Sequence, residues 1–353
     1  MNLKFENSLA GKKILVTGHT GFLGGWVSLW LKLLDAEIMG YSLPPENPSL
    51  FSLFMNNSSI NSVFEDICNY DTLLTNLKQF KPDLILHLAA QALVKKGYRH
   101  PRSTFAVNTL GTVNILDAAR TIDSVKAVVC VTTDKVYENR EGSQPYRETD
   151  PLGGTDPYSA SKSAAEIVIR SYNALNSPPI AAIRGGNIVG GGDWCEDRLI
   201  PDFVKAIKNK SSLDLRYPRA VRPWQHVLGL AQGCLMVLTG LASDNSQHFA
   251  RAWNFGPLDT KTFTVLELIE LMSAEWKKPT INILSDVLPE AHTLTLDSSM
   301  AKQLLNWIPP WNTERTIKET IAWYKTYYNS PADIEHFTLE QINTWRSETA
   351  VCM

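Results

Sequence analysis

The chain has 353 residues, of which 44% are hydrophobic and 20% are charged, and its 34 Lys and Arg against 36 Asp and Glu give a formal net charge of −2. This balance argues against a nucleic-acid-binding protein that depends on a basic surface, and the apolar content is too high for a disordered chain. At roughly 150 residues per domain, the length predicts about two domains, or one large α/β domain with an appendage.

Apolar runs alternate with helix-like segments through the first half of the chain. The predicted strands are 13–17, 36–42, 62–66, 83–88 and 126–132, and the predicted helices are 22–34, 71–80 and 101–120. Nearly continuous apolar strands separated by helices are typical of parallel βαβ units, whose sheet is covered on both faces. We therefore predict a Rossmann-like, doubly wound parallel sheet of the α/β class.

The pattern becomes less regular in the second half. The elements predicted there are a helix over 158–172, a sixth strand over 180–187 and a further strand over 251–255. We expect a smaller mixed α/β C-terminal lobe that binds the substrate. The predicted division assigns 1–187 to a dinucleotide-binding domain, with a returning segment near 227–258, and assigns 188–226 and 259–353 to the lobe.

Metal sites and membrane roles are disfavoured. The five cysteines form no CxxC pair or zinc-ligand spacing, and the seven histidines form no HxH or HExxH pattern. We therefore predict no metal site, and we expect a reducing cytoplasm because no disulfide framework is present. The first residues contain no apolar signal core, and the apolar stretches are too short to span a bilayer, so no membrane role is expected.

A glycine-rich turn joins the first predicted strand to the first predicted helix. Its glycines allow a tight turn, close approach of the backbone to a pyrophosphate, and close packing of helix on strand, while the helix N-terminus favours phosphate. Because a strand precedes the turn and a helix follows it, the pattern favours dinucleotide binding over a plain strand–helix corner. The residues assigned to the cofactor from this turn are Gly18, His19, Thr20, Gly21, Phe22, Leu23 and Gly24.

The end of the second strand leaves the choice between NAD and NADP open. An acidic residue that binds the ribose is expected there, but the chain has Gly40, Tyr41 and Ser42. Ser42 is able to hydrogen-bond a ribose hydroxyl, and it carries no charge that would exclude a 2′-phosphate. The lack of an Arg beside it favours NAD. Asp66 and Ile67, after the third strand, either contact the adenine or simply end that strand.

Tyr158 and Lys162 lie four residues apart at the start of a predicted helix, so both project from one face. A cation beside a phenol lowers the tyrosine pKa and makes the phenol a usable general base. A surface Tyr–Lys pair would explain these two residues alone. Asn108 and the run 132–135 favour an active site instead, because they belong at the same sheet edge, where open α/β folds bind ligands.

In their order and spacing, these motifs resemble the extended short-chain dehydrogenase/reductase family. The motifs are TGHTGFLG (17–24), HLAAQ (87–91), Asn108, Thr-Thr-Asp (132–134) and YSASK (158–162), and the likeness covers about 12–328. The resemblance implies that Tyr158 takes a proton from the substrate, that Lys162 tunes it and binds the nicotinamide ribose, and that Thr133 hydrogen-bonds the sugar O4. The further cofactor contacts that it implies are Leu88, Ala89, Ala90, Asn108 and Thr132.

Within that family, a Thr-Asp pair followed by an ionisable residue is similar to the nucleotide-sugar 4,6-dehydratases. The segments 184–194, 196–201 and 222–226 resemble those of the enzymes that act on CDP-glucose. The resemblance implies an NAD-dependent lyase that oxidises C4, removes water across C5–C6 and returns hydride to C6, in deoxysugar biosynthesis for O-antigen or other polysaccharides. The alternatives are a 4-epimerase, which Asp134 disfavours, and a non-catalytic NAD-binding sensor, which the intact Tyr-Lys motif disfavours.

Three side chains matter most to that interpretation. By resemblance, Asp134 protonates the departing 6-hydroxyl. Lys135 either removes the C5 proton or only stabilises the enolate, and the dTDP-glucose enzymes have Glu in its place. His19 stands where many relatives have a small residue, and a bulky side chain there is expected to loosen cofactor binding.

The C-terminal half supplies cations for a substrate diphosphate, since Arg binds phosphate oxygens through paired N–H groups. Asn187 and Arg222 match family positions at the diphosphate, whereas Arg216 and Arg219 are expected on a solvated face. His226 either donates to phosphate or caps a helix. The residues assigned to the substrate are Gln91, Thr133, Asn187, Arg198, Leu199, Arg222 and His226.

Aromatic and apolar helix faces suggest how the chain packs. Trp26 and Trp30 lie four apart on the first helix, which favours core packing. Trp194 and Trp224 fall in the lobe and are candidates to border the base or the sugar. The helices 104–120 and 161–172 have apolar faces that pair across a dimer in the family that the chain resembles, so we expect a homodimer.

Overall fold

A parallel sheet of seven strands lies at the centre of the computed structural model, and its order is β10-β6-β5-β4-β1-β2-β3 when strands are numbered along the chain. The described residues are 3–54, 60–140, 144–175, 177–259, 261–284 and 294–352. The strands within these ranges are β1 (Lys13–Thr17), β2 (Glu37–Ser42), β3 (Asn61–Phe64), β4 (Leu84–His87), β5 (Ala127–Val131), β6 (Ile180–Gly185), β7 (Ile188–Val189), β8 (Ser212–Leu215), β9 (Gln225–His226), β10 (Ala252–Phe255) and β11 (Thr280–Ile283). The prediction of a doubly wound parallel sheet is confirmed.

Helices cover both faces of this sheet. They are α1 (Phe22–Leu33), α2 (Leu50–Phe54), α3 (Tyr70–Phe80), α4 (Val94–Arg99), α5 (Pro101–Phe105), α6 (Gly111–Arg120), α7 (Pro157–Asn173), α8 (Leu199–Asn209), α9 (Val227–Leu241), α10 (Val265–Glu275), α11 (Ser299–Leu305), α12 (Thr313–Asn329) and α13 (Ile334–Cys352). β4 and β6 are buried along their whole length, because α1 and α9 cover one face while α3, α6 and α7 cover the other.

The first helix confirms the prediction of core packing for its two tryptophans. Trp26 and Trp30 are fully buried, and their indole N–H groups donate to the carbonyl oxygen of Gly191 and to the carboxylate of Glu6. Gly191 belongs to the lobe and Glu6 precedes β1, so α1 fastens distant parts of the chain to the sheet.

The helix predicted over 101–120 is present, but its middle is not a regular α-helix. Residues Ala106–Leu110 form a π-turn between α5 and α6. The side chain of Asn108 points from this turn into the protein, where it bonds the backbone of Gln91 and the hydroxyl of Ser161. The π-turn widens the helix where these long-range bonds require it, as π-turns at functional sites often do.

The sixth strand is shorter than the predicted 180–187. It ends at Gly185, and the next residue, Gly186, packs so closely on Pro223 that a Cβ there would lie 2.6 Å from the Pro223 Cγ. The chain then enters the lobe as β7, which pairs with β9. β10 later brings the chain back to the edge of the central sheet, beside β6.

The lobe contains a second small sheet, in which β8 pairs with β11, together with α8, α10 and α12. α13 packs on α12 and reaches back to the start of the chain, where Arg346 pairs with the buried carboxylate of Glu6 at 2.7 Å. In the ranges given above, no helix combines the length and apolarity needed to cross a membrane.

Candidate active site

A large cavity opens at the carboxyl ends of the parallel strands, between the central sheet and the lobe. Its volume is about 1100 Å³. His19, Asn108 and His226 do not line it, whereas every other residue assigned above to catalysis, cofactor or substrate does. Open α/β sheets bind ligands at this edge, so the cavity is the candidate active site.

The glycine-rich turn brings backbone to the cavity surface. Gly18 has φ +73°, and a Cβ on it would lie 2.7 Å from the Ala89 nitrogen. A Cβ on Gly24 would lie 2.1 Å from the Gly18 carbonyl oxygen, so neither position admits a side chain. In the described chain no side chain caps the N-terminus of α1, which leaves its first N–H groups open to an anion. These features fit the pyrophosphate of a dinucleotide.

Hydroxyl groups fix the rest of this end of the cavity. Thr17 Oγ1 accepts from the backbone N–H groups of Leu88 and Ala89, both at 3.1 Å, and holds the loop after β4 against the glycine turn. The hydroxyls of Thr20 and Ser42 are 2.7 Å apart at the end of β2. The uncharged Ser42 therefore lines the cavity where a ribose is expected, and the residues present fit a dinucleotide.

His19 does not face the cavity, contrary to its assignment as a cofactor contact. Its ring is fully buried over Gly40, where a Cβ would lie 2.3 Å from the His19 Cδ2. The ring packs against Phe51 and Phe64, and its Nε2 lies 3.1 Å from the Ser62 hydroxyl. Burial lowers the pKa of His19 to about 4, so the ring is neutral. The imidazole fills the space that Gly40 leaves in β2.

Asn108 supports the cavity from behind instead of lining it. Its Oδ1 accepts from the Gln91 N–H at 2.8 Å, and its Nδ2 donates to the Gln91 carbonyl at 3.0 Å and to the Ser161 hydroxyl at 2.9 Å. It therefore ties the loop after β4 to the first turn of α7, between Tyr158 and Lys162. The assigned cofactor contact is corrected to a positioning role.

Tyr158 and Lys162 both lie on the first turns of α7 and are nearly buried, with 7% and 6% of their surface exposed. Lys162 Nζ donates to the Val131 carbonyl at 2.9 Å. Burial lowers the pKa of Lys162 to about 8, although Cys130 and Glu166 act in the opposite direction. Burial also raises the pKa of Tyr158, so the expected lowering by a neighbouring cation does not dominate here.

Groups other than Lys162 oppose the effect of burial on Tyr158. A hydrogen bond with Thr133 and the charges of Lys135 and Arg198 act to lower the Tyr158 pKa, whereas the charge of Asp134 acts to raise it. The two cations beside the phenol would stabilise its ionised form against that one carboxylate. This arrangement suits a group that takes a proton only when a substrate is in place.

The run after β5 places three polar side chains beside Tyr158. Asp134 is 1% exposed, and its Oδ1 accepts from the Thr133 hydroxyl at 3.0 Å and from Lys135 Nζ at 3.1 Å. Its Oδ2 is buried and has no hydrogen-bond partner in the described structure. A buried acceptor without a partner is costly, so this oxygen is suited to a ligand group or to a proton.

Cations and an amide define the far side of the cavity. Arg198, at the start of α8, pairs with Asp193 at 2.8 Å, and Asn187 and Arg222 lie on the segments that flank β7 and β9. Arg216 also lines the cavity and donates to the Asp197 carbonyl at 3.1 Å, so its prediction as a solvated residue is wrong.

Three other predictions for the lobe can be compared with the structure. Arg219 is exposed, as expected. His226 is fully buried, and its Nδ1 accepts from the Leu228 N–H at the start of α9, so it is the helix cap and not the phosphate donor. Trp194 and Trp224 both line the cavity.

Sequence reasoning missed Glu166 and Arg184, which form a buried ion pair beneath the run 132–135. The Thr132 hydroxyl donates to Glu166 at 2.7 Å, so it points away from the cavity although Thr132 lines it. Glu166 lies four residues after Lys162 on α7, and this spacing was the available signal. No group of three or more His, Cys, Asp or Glu in the described ranges could hold a metal ion.

Comparisons with known proteins agree with this geometry. A model of the family described as GDP-mannose 4,6 dehydratase matches residues 15–320. A CDP-glucose 4,6-dehydratase of Salmonella typhimurium is 39% identical over 334 residues, which cover 91% of this chain and 93% of that protein. The dTDP-glucose 4,6-dehydratase 1 of Escherichia coli K12 is 26% identical and covers 88% of this chain and 92% of its own length.

A solved structure supports the fold. The dTDP-glucose 4,6-dehydratase of Streptomyces venezuelae, solved with NAD and TYD bound, matches with a TM-score of 0.78 and 23% identity. The match covers 92% of this chain and 99% of that one. The Rossmann-like sheet and the lobe therefore follow the architecture of that enzyme.

Proposed function

The chain belongs to the GDP-mannose 4,6 dehydratase family, within the extended short-chain dehydrogenases/reductases, and from this premise we propose that it converts CDP-glucose to CDP-4-dehydro-6-deoxyglucose with loss of water. The observation that carries the proposal is the cluster of buried Thr133 and Asp134 with partly exposed Lys135 beside Tyr158. CDP-glucose is preferred among nucleotide sugars because the Salmonella relative that acts on it is 39% identical.

NAD is the proposed cofactor, and the residues to hold it are on the cavity wall. The glycine turn and the α1 N-terminus suit its pyrophosphate, Ser42 suits a ribose hydroxyl, and Lys162 lies where a nicotinamide ribose is expected. Bound NAD would supply a hydride acceptor for the sugar C4, a hydride donor for C6, and a positive charge beside the Tyr158 phenol.

The first proton transfer belongs to Tyr158. Its phenolate takes the proton of the sugar O4 while the hydrogen on C4 leaves as hydride, so C4 becomes a ketone. Thr133 hydrogen-bonds Tyr158 and positions O4, and the charges of Lys135 and Arg198 favour the phenolate. The C4 ketone makes the C5 proton acidic, which dehydration of an unactivated sugar requires.

The pair Asp134 and Lys135 suits the elimination itself. Transfer of one proton from Lys135 Nζ to Asp134 Oδ1, over the 3.1 Å between them, converts an ion pair into a carboxylic acid and a neutral amine. Exclusion of water by the substrate favours this neutral form. The amine then takes the C5 proton, the acid gives its proton to the departing 6-hydroxyl, and the ion pair is restored.

The diphosphate of the substrate would be held on the opposite wall. Arg222 is 7% exposed and Arg198 is fixed by Asp193, so both guanidinium groups are ordered before a substrate binds. Arg216 and Asn187 add donors on the same side. A few placed guanidinium groups are enough for an anionic substrate, which explains why a net charge of −2 is compatible with this function.

The test is incubation of the purified protein with NAD and CDP-, UDP- or dTDP-glucose. We expect CDP-glucose to give a 4-keto-6-deoxy sugar, read by its absorbance in alkali and by mass spectrometry, faster than the other two. Absence of a ketone from CDP-glucose would contradict the assignment. Formation of a 4-epimer without loss of water would show a 4-epimerase instead.

We propose a homodimer through α5, the π-turn, α6 and α7. Phe105, Leu110 and Ile167 expose 39%, 51% and 61% of their surface on these packed segments, and a second copy of the chain would cover them. Leu110→Glu combined with Ile167→Glu should give a monomer in light scattering after size exclusion. Leu304→Glu, which alters an equally exposed side chain on α11, should leave the dimer intact. A wild-type monomer would contradict the proposal.

The proposed compartment is the cytoplasm, and the proposed pathway is deoxysugar biosynthesis for O-antigen or another polysaccharide. All five cysteines are free, as expected in a reducing compartment. Cell fractionation would test the location, and detection of the protein outside the cytoplasm would contradict it.

A further inference from the structure

A buried ion pair lies directly under the catalytic run and outside the cavity. Glu166 on α7 and Arg184 on β6 expose 1% and 0% of their surface. Arg184 Nε donates to both carboxylate oxygens of Glu166, at 2.8 and 3.0 Å. Apolar side chains of similar volume often serve stability as well as a buried ion pair does, so this pair points to a role in positioning.

The pair holds both ends of the loop that carries the catalytic side chains. At the start of the loop, Glu166 Oε1 accepts from the Thr132 hydroxyl at 2.7 Å. At its end, Arg184 Nη1 donates to the Tyr137 hydroxyl at 2.8 Å. Thr133, Asp134 and Lys135 lie between these two anchors. A shift of the ion pair therefore moves all three relative to Tyr158.

Tyr137 and Arg184 are in turn hydrogen-bonded to residues outside the catalytic loop. The Tyr137 hydroxyl donates to Asn254 Oδ1 on β10 at 2.6 Å, and Arg184 also donates to the Glu148 carbonyl at 3.1 Å. The network thus joins β6, β10 and α7. Its hydrogen bonds restrict movement of the loop 132–137.

We propose that Glu166 and Arg184 are positioning residues, which hold the loop 132–137 in register with Tyr158 for the dehydration. The role rests on the proposed dehydratase activity. Neither side chain lines the cavity, so both act through their hydrogen bonds to Thr132 and Tyr137, and Glu166 acts on Lys162 through its charge.

The charge of Lys162 gives this role a specific signature. The groups that face Lys162 are Cys130 on β5, His87 on β4, and Tyr158 and Glu166 on its own helix. Burial lowers the pKa of Lys162 to about 8, and Glu166 raises it. Without the carboxylate, Lys162 would lose its proton at a lower pH.

The decisive variants are Glu166→Gln and Thr132→Val, assayed with NAD and CDP-glucose. Glu166→Gln should lower kcat by about tenfold to a hundredfold, as expected for misplaced catalytic groups, with KM for CDP-glucose unchanged. It should also shift the alkaline limb of the pH profile of kcat to lower pH. Thr132→Val removes one hydroxyl and leaves the ion pair, so it should lower kcat without moving that limb. Glu166→Asp should recover part of kcat.

Two further variants separate positioning from stability. Glu6→Gln disrupts the remote buried pair with Arg346 and should lower the Tm without changing kcat or the pH profile. The double variant Glu166→Leu/Arg184→Met leaves no unpaired charge and should fold if Glu166→Gln does not, and its kcat should still fall.

Two results would overturn the positioning role. One is a normal kcat and pH profile in folded Glu166→Gln or in the double variant. The other is an equal loss of kcat in Glu6→Gln. If wild-type protein does not convert CDP-glucose, it is the proposed function that fails, whereas active wild type with unaffected variants contradicts only the positioning role.

Discussion

Replacing Tyr158 by Phe should lower kcat for CDP-glucose by about 10²- to 10⁴-fold, the usual contribution of general acid–base catalysis. The substitution removes one oxygen from a side chain that is 7% exposed and leaves the ring packed at the start of α7. The affinity for CDP-glucose should change little, because the lobe holds the diphosphate. The absorbance of the 4-keto product in alkali gives kcat, and titration calorimetry gives the dissociation constant of CDP-glucose.

Tyr70→Phe is the matched control for this variant. The Tyr70 hydroxyl donates to Asp117 at 2.8 Å on the α3–α6 side of the sheet, and neither residue lines the cavity. Its loss should alter stability slightly and kcat not at all. If Tyr158→Phe retained the wild-type kcat, as the Tyr70→Phe control should, another group would be the base that takes the O4 proton.

The local motifs were predictable because they depend on neighbouring residues only. β1 spans the predicted residues 13–17, and α1 begins at the predicted Phe22. An apolar run and a glycine pattern are enough for such elements. The Tyr-Lys spacing on α7 was predictable for the same reason.

The features that sequence reasoning missed depend on contacts between distant segments. The π-turn exists because Asn108 reaches Gln91 and Ser161, which no helical period reveals. His19 turns into the space above Gly40, and Arg216 turns to the carbonyl of Asp197. Each of these side chains could point elsewhere from its own backbone position. Its contact with a distant segment determines where it points.

Changing Asp134 and Lys135 one at a time should separate the two halves of the elimination. Asp134→Asn removes the acid while the C4 ketone still forms, so loss of water should slow by about 10²- to 10⁴-fold. In this variant Lys135 must give its proton to solvent instead of to Asp134, so exchange of the C5 hydrogen in D₂O should be slower than in wild type but should persist. Lys135→Met keeps the length of the side chain but removes the amine, so C5 exchange should disappear together with product.

The same measurements decide between the two roles of Lys135. If Lys135 only stabilised the enolate, Lys135→Met would keep measurable C5 exchange, because another group would take the proton. Deuterium at C5 is read by NMR of recovered substrate and product. Lys126→Met, which alters an exposed side chain that donates to the Asp123 carbonyl, should match wild type. Asp134 is 1% exposed and lies 3.1 Å from Lys135 Nζ at the cavity wall, so a base at Lys135 must act beside its acid.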